Sequence, residues 1–171
     1  MNMPPVIHIV GRRNAGKTTL VCELITVLSE KGLRVGSVKH THHHHELDTP
    51  GKDSHRHRIA GAAAVGILSP QMTAMFIPGD RQAAGNDRYA AFTPMFMACD
   101  LVIVEGDLQA KAKRLEVWRA DLAEPPYATE DPAINAVISD DAVTEVSCPV
   151  WRRTPVEEVA RQLLNLARLT Y

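Results

Sequence analysis

The chain has 171 residues, 45% of them apolar, with 19 basic against 20 acidic side chains and a formal net charge of −1. Such a length suits a single domain, 1–171, with one sizeable core, and the balanced charge argues against a nucleic-acid binder or a protein of the membrane surface. Cys22, Cys99 and Cys148 are far apart, odd in number and free of any C-x-x-C pair, which argues against a disulfide framework or zinc ribbon and fits a reducing, cytoplasmic setting, as does the absence of a leader or a membrane-length apolar run.

Taken in order, Val6 to Val10 is an apolar run that reads as a strand, and Gly11-Arg12-Arg13-Asn14-Ala15-Gly16-Lys17-Thr18-Thr19 follows it. The spacing fits G-x-x-x-x-G-K-[ST], a phosphate loop. Gly11 and Gly16 permit a tight turn and close backbone approach to phosphate oxygens, with Asn14 and Ala15 between them. The N–H groups of the loop, with those at the start of the next helix, face the anion. Lys17 is expected to reach the terminal phosphates, Thr18 to take a Mg²⁺ position, and Thr19 to complete the site. Leu20, Leu24, Val27 and Leu28 recur at helical spacing up to Lys31-Gly32, where a glycine stops the helix.

Arg34 to Lys39 reads as a second strand, so the strand-helix-strand crossover implies parallel pairing and an α/β fold. The polar stretch from His40 to Gly51, with histidines at 40, 42, 43, 44 and 45, must be a loop ended by Pro50-Gly51. Lys52 to Ala64 reads as a helix capped by Asp53 or Ser54, and Val65–Ser69 with Met72–Ile77 as an antiparallel hairpin added to the parallel sheet. Pro78 to Asp87 is a loop, and Arg88 to Ala98 a helix interrupted or begun at Pro94. Asp100 to Gly106 reads as a central parallel strand ending in Glu105-Gly106. Leu115 to Arg119 alternates like a half-exposed strand, Ala133 to Ser139 like a buried one, and Val146 to Trp151 supplies a short last strand. Thr154-Pro155-Val156-Glu157 gives a capping residue, a first-turn proline and a capping-box acid for a final helix through Leu163, Leu164, Leu166 and Leu169. The architecture expected is a P-loop NTPase fold, a mostly parallel twisted sheet with helices on both faces and a hairpin addition.

Ligands of parallel sheets sit at the carboxyl ends of strands. Glu105 there is placed to hold Mg²⁺ or orient an attacking water, and Gly106 lets backbone N–H approach a terminal phosphate. Asp48 and Asp53 bracket Pro50-Gly51 and are further candidates for the metal shell, with turn residue or helix cap as the alternative. The histidine run suits Ni²⁺ or Zn²⁺, although nothing in the sequence pairs it with a cysteine or carboxylate. His8, mid-strand among aliphatics, reads as a satisfied core histidine. Arg12 and Arg13 add charge to the loop, and Lys111, Lys113, Arg114 and Arg119 form a basic cluster, either an anion site or a solvated face.

Gly11 to Thr19, Val38-Lys39-His40, Pro50-Gly51-Lys52-Asp53-Ser54-His55-Arg56, Val104-Glu105-Gly106 and Leu115-Glu116-Val117 together resemble the MobB family of molybdopterin-guanine dinucleotide biosynthesis adaptors. The resemblance implies a dimeric, GTP-binding P-loop protein that uses Mg²⁺ and assists a molybdenum cofactor guanylyltransferase, with at most slow GTP hydrolysis of its own. Gly11, Gly16, Lys17, Thr18 and Thr19 match the nucleotide loop and Glu105-Gly106 the Walker-B-like strand end. After Gly106 the chain departs from the pattern, with Asp107-Leu108-Gln109 where an aromatic residue and a lysine are usual. No [NT]-K-x-D run reads guanine, and Asp140, in Ser139-Asp140-Asp141, is the candidate for that task. The alternatives are a GTP-dependent nickel or zinc metallochaperone using the histidine loop, against which Cys148-Pro149-Val150 lacks the expected histidine, and a small-molecule kinase.

Overall fold

The computed structural model describes residues 3–41, 46–79 and 85–169. They fall into two compact units, one of Met1–Thr41 with Gly85–Tyr171 and one of His42–Ala84.

The first unit is built on six parallel strands: β1 (Val6–Val10), β2 (Val35–Lys39), β5 (Leu101–Glu105), β6 (Lys113–Val117), β7 (Ala136–Ile138) and β8 (Val150–Trp151). Their order is β2-β5-β1-β6-β7-β8. β1 and β5, buried along nearly their whole length, lie at the centre, with Ile9 opposite Glu105. Between β1 and β2 runs helix α1 (Lys17–Glu30), which ends before Gly32 at φ 86. One sheet face carries Ile7, Ile9, Leu101, Ile103, Leu115, Val117 and Ile138, and packs on Leu20, Leu24 and Leu28 of α1 and Val159, Leu163 and Leu164 of α4 (Val156–Ala167). On the other face Val102 and Val104 meet Tyr89, Phe92 and Phe96. The segment expected to be a helix over 88–98 is a 3-10 stretch, Gly85–Phe92, running into the short helix α3 (Thr93–Phe96) with a proline at its start. Gly36 is required there: a Cβ would stand 2.7 Å from Phe96 Cδ1.

In the second unit, α2 (Asp53–Ile59) precedes β3 (Val65–Leu68) and β4 (Thr73–Phe76). The expected hairpin forms a two-stranded antiparallel sheet of its own. α2 is shorter than the 52–64 helix read from the sequence, because Gly61 turns the chain at φ 99. Neither expected cap operates: Lys52 is the N-cap residue, and the Ser54 hydroxyl donates to Asp48 Oδ1 at 2.9 Å.

Two further expectations are corrected. β6 is not half-exposed, since Arg114 through Val117 are all buried. Its polar residues are interior because they are partnered: Glu116 accepts N–H bonds from Tyr127 (2.7 Å) and Ala128 (2.8 Å), and Arg114 forms a two-pronged pair with Asp131 at 2.7 and 3.2 Å. Thr154 does not cap α4; Pro155 is the N-cap, and the Thr154 hydroxyl donates to Asp140 Oδ2 at 2.6 Å. Cys22, Cys99 and Cys148 are free thiols.

Candidate functional site

The site grows from the turn between β1 and α1. Leaving β1, Gly11 takes φ 139, and a Cβ on it would stand 2.4 Å from the carbonyl oxygen of Val117, so only glycine lets the loop start where it does. Asn14 follows in the left-handed region at φ 64 and Gly16 at φ 94. Ala15 is buried, and its N–H donates to Arg12 O at 3.3 Å. Gly16 is the N-cap of α1 and offers no side chain to the first turn. α2 and α4 carry acids in their first turns, whereas α1 carries none and starts with Lys17. The unmatched N–H groups and positive dipole end of a 14-residue helix therefore meet a lysine instead of a carboxylate, a combination suited to an anion of several charges.

The Lys17 ammonium donates to the carbonyls of Gly11 (2.8 Å) and Arg12 (2.6 Å). Its partial burial lowers its pKa, an effect that Glu105 opposes and Lys39 reinforces. Thr18 and Thr19 are exposed on the first turn. The Thr18 hydroxyl donates to Glu105 Oε1 at 2.8 Å, which joins the loop to the end of β5. Glu105 is buried, and its Oε1 also pairs with the ammonium of Lys39 at the end of β2. Gly106 follows at φ 94; its N–H donates to Ile9 O at 3.0 Å, while a Cβ would lie 3.0 Å from His40 O.

Of the residues singled out in the sequence, Gly11 to Thr19, Glu105 and Gly106 are thus gathered at the ends of β1 and β5. Asp140 follows β7, the strand beyond β6, and its two carboxylate oxygens accept the N–H (3.0 Å) and hydroxyl (2.6 Å) of Thr154, which lowers its pKa. Asp48 and Asp53 belong to the second unit. There Asp48 is buried, with Oδ1 accepting Thr49 N–H and the Ser54 hydroxyl, and Asp53 sits in the first turn of α2. His42 to His45 lie outside the described residues. Among the described residues no three His, Cys, Asp or Glu side chains gather as a metal site would require.

Several contributors were not legible beforehand. Arg12 is turned away from the loop onto the 124–127 segment: it pairs with Glu124, donates to Pro125 O at 3.2 Å and stacks on Tyr127. The basic residues after β5 form no single cluster, since Arg114 is buried against Asp131 and Arg119 pairs with Asp121 at 2.7 Å. Asp107, fully buried, accepts from Tyr89 Oη (2.6 Å) and Arg88 (3.1 Å). Beside them His8 is buried as expected but not satisfied: among the described residues its Nδ1 has no hydrogen-bond partner, and burial pulls its pKa down to about 4. Lys39 and Glu116 lay in stretches that carry the family resemblance but without a role assigned to either, and Tyr127 carried no motif at all.

Comparison with known proteins gives a consistent set of likenesses. The family model for molybdopterin guanine dinucleotide synthesis protein B matches residues 6–140. The molybdopterin-guanine dinucleotide biosynthesis adapter protein of Escherichia coli K12 is 32% identical over 139 residues, 81% of this chain and 79% of that one. That of Haemophilus influenzae is 32% identical over 124 residues, 72% of this chain and 68% of that one. Among solved structures, the crystal structure of molybdopterin-guanine biosynthesis protein B superposes with a TM-score of 0.72 at 32% identity, covering 95% of this chain and 99% of that one. A MobB homologue from Bacillus stearothermophilus shares the fold with a TM-score of 0.64 at 24% identity, covering 95% and 97%.

Proposed function

This chain belongs to the molybdopterin guanine dinucleotide synthesis protein B family, and from that premise we propose that it is an adapter which holds GTP with Mg²⁺ for a molybdenum cofactor guanylyltransferase. The observation that carries the nucleotide reading is the Thr18–Glu105 hydrogen bond of 2.8 Å beside an α1 N-terminus that has Lys17 and no acid. Two adjacent hard oxygens are the donors Mg²⁺ takes, and the space above Gly16, where a Cβ would meet nothing within 4 Å, leaves the backbone open to phosphate. These residues fit the group.

In this reading Gly11, Asn14, Ala15, Gly16, Lys17, Thr18, Thr19 and Gly106 hold the phosphates. Thr18 and Glu105 hold the metal. Asp140 reads the guanine through lone pairs that its Thr154 bonds leave over, since a carboxylate accepts about four hydrogen bonds. Glu105 is the group that orients a water, and hydrolysis is slow. The work is cytoplasmic. Self-association is supported by the second unit, which exposes Ile67, Leu68, Met72, Met75 and Ile77 in and beside its hairpin.

The test is calorimetric titration of GTP and ATP, each with Mg²⁺, followed by co-purification with the guanylyltransferase. Preferential GTP binding together with a stable complex supports the reading. Equal affinity for both nucleotides without any complex refutes it.

A further inference from the structure

We propose that Lys39 is a second phosphate-binding cation, specific for the terminal phosphate of a nucleoside triphosphate and held on Glu105 until the nucleotide arrives. This rests on the nucleotide reading above and adds to it a residue that tells a triphosphate from a diphosphate.

The placement follows from the sheet. β2 and β5 pair in parallel with Lys39 opposite Glu105 as their last register pair, and directly paired residues of neighbouring strands point to the same face. That is the face on which α1 packs, because Val35 and Ile103 of the same alternation contribute to the core beneath α1. Lys39 therefore emerges beside the phosphate loop, and its ammonium pairs with the same Glu105 oxygen that accepts from Thr18. The partners are unequal: the Glu105 side chain is 8% exposed and that of Lys39 is 60% exposed. The carboxylate is fixed in place, whereas the lysine reaches it from solvent on a long flexible stem.

A nearly buried carboxylate needs a cation, and Lys39 supplies it. A Mg²⁺ ion bound by Thr18 and Glu105 would satisfy the same oxygen with a larger charge. Lys39, displaced from that oxygen, is left within electrostatic reach of Lys17, where a third phosphate adds negative charge that a diphosphate lacks. An exposed surface ion pair with no such task contributes little and its removal would leave nucleotide preference untouched.

The measurement is calorimetric titration of Mg·GDP and Mg·guanosine 5′-[γ-thio]triphosphate into the full chain, as wild type, Lys39→Ala and Lys39→Arg. It is paired with Mn²⁺ binding in the absence of nucleotide, followed by electron paramagnetic resonance. A hydrogen bond from a charged donor sets the scale, so Lys39→Ala should weaken the triphosphate about tenfold or more while the diphosphate loses far less. Lys39→Arg should recover most of the difference, and free Mn²⁺ should bind Lys39→Ala more tightly than wild type. An unchanged ratio of the two nucleotide affinities in Lys39→Ala overturns the role of Lys39 alone. If wild type binds neither nucleotide, the nucleotide reading falls and this inference with it.

Discussion

The guanidinium of Arg12 lies 4.1 Å from the centre of the Tyr127 ring. Tyr127 is in turn held by its N–H on Glu116, the fully buried carboxylate of β6. The second residue of the phosphate loop is thus tied, through an aromatic ring and a buried acid, to the strand beside it. Glu116→Ala removes the acceptor of two N–H groups at once and should lower stability by about 2–4 kcal/mol, read from urea unfolding. Arg12→Ala, with a partly exposed side chain, should cost under about 1 kcal/mol of stability and show itself instead as weaker nucleotide binding. Equal unfolding midpoints for Glu116→Ala and wild type would sever this chain of support.

Lys17→Ala tests the centre of the nucleotide reading. The ammonium is positioned by two loop carbonyls, so its removal leaves little structural damage. Affinity for a fluorescent GTP analogue should fall by about a hundredfold with an unchanged melting temperature. Intact affinity would refute the assignment of the loop.

His8 makes stability depend on pH. Its pKa is about 4 in the folded chain against an ordinary 6.5, because burial disfavours the imidazolium and Arg88 and Arg114 add to the effect against the opposing charge of Asp107. Below pH 6.5 the unfolded chain takes up a proton that the folded chain refuses. Stability therefore falls as pH drops from 6.5 towards 4, by about 3 kcal/mol in all. In urea titrations at pH 7 and pH 5, His8→Gln should lose less stability between the two than wild type does. Parallel slopes would show that His8 is protonated in the fold.

Gly36→Ala should be destabilising although alanine is small. The new Cβ meets Cδ1 and Cε1 of Phe96 at 2.7 and 2.9 Å, and Phe96 stacks on Phe92 with ring centres 5.8 Å apart. Displacing that ring should cost about 1–3 kcal/mol. The double variant Gly36→Ala with Phe96→Leu should recover part of it in thermal unfolding, and a loss equal to the sum of the singles would count against this packing account.

For Asp140, Asn is the informative substitution because it keeps an acceptor for Thr154 while exchanging the second oxygen for an NH₂. If the carboxylate reads guanine, Asp140→Asn should bring GTP and ATP affinities together in calorimetry. A retained GTP preference would move the base-reading role to another residue.

The loop, its flanking strand and helix and the end of β5 were legible because each depends on local residue types: glycines at turns, aliphatic runs, a carboxylate after the last apolar residue. β6 was misread because alternation reports only where apolar side chains recur. Arg114 and Glu116 alternate with Leu115 and Val117 as solvent-facing residues would, yet each finds its partners 11 to 17 residues further along the chain. Thr154 misled for a related reason, since its hydroxyl had a distant acid, Asp140, to compete with the helix end it precedes. Lys39 was invisible as a site residue because its significance comes from strand order, which sets it opposite Glu105.

The contact between Gly11 and the Val117 carbonyl sets which parts of the loop can be altered. Val117 is held in β6 between β1 and β7, so its oxygen cannot retreat. Residue 11 is then the anchored end of the loop, while Arg13 and Asn14 stand exposed two and three positions on. A spectroscopic label or a cross-linker should be accepted at 13 and rejected at 11, which gives the loop a built-in handle for watching it work.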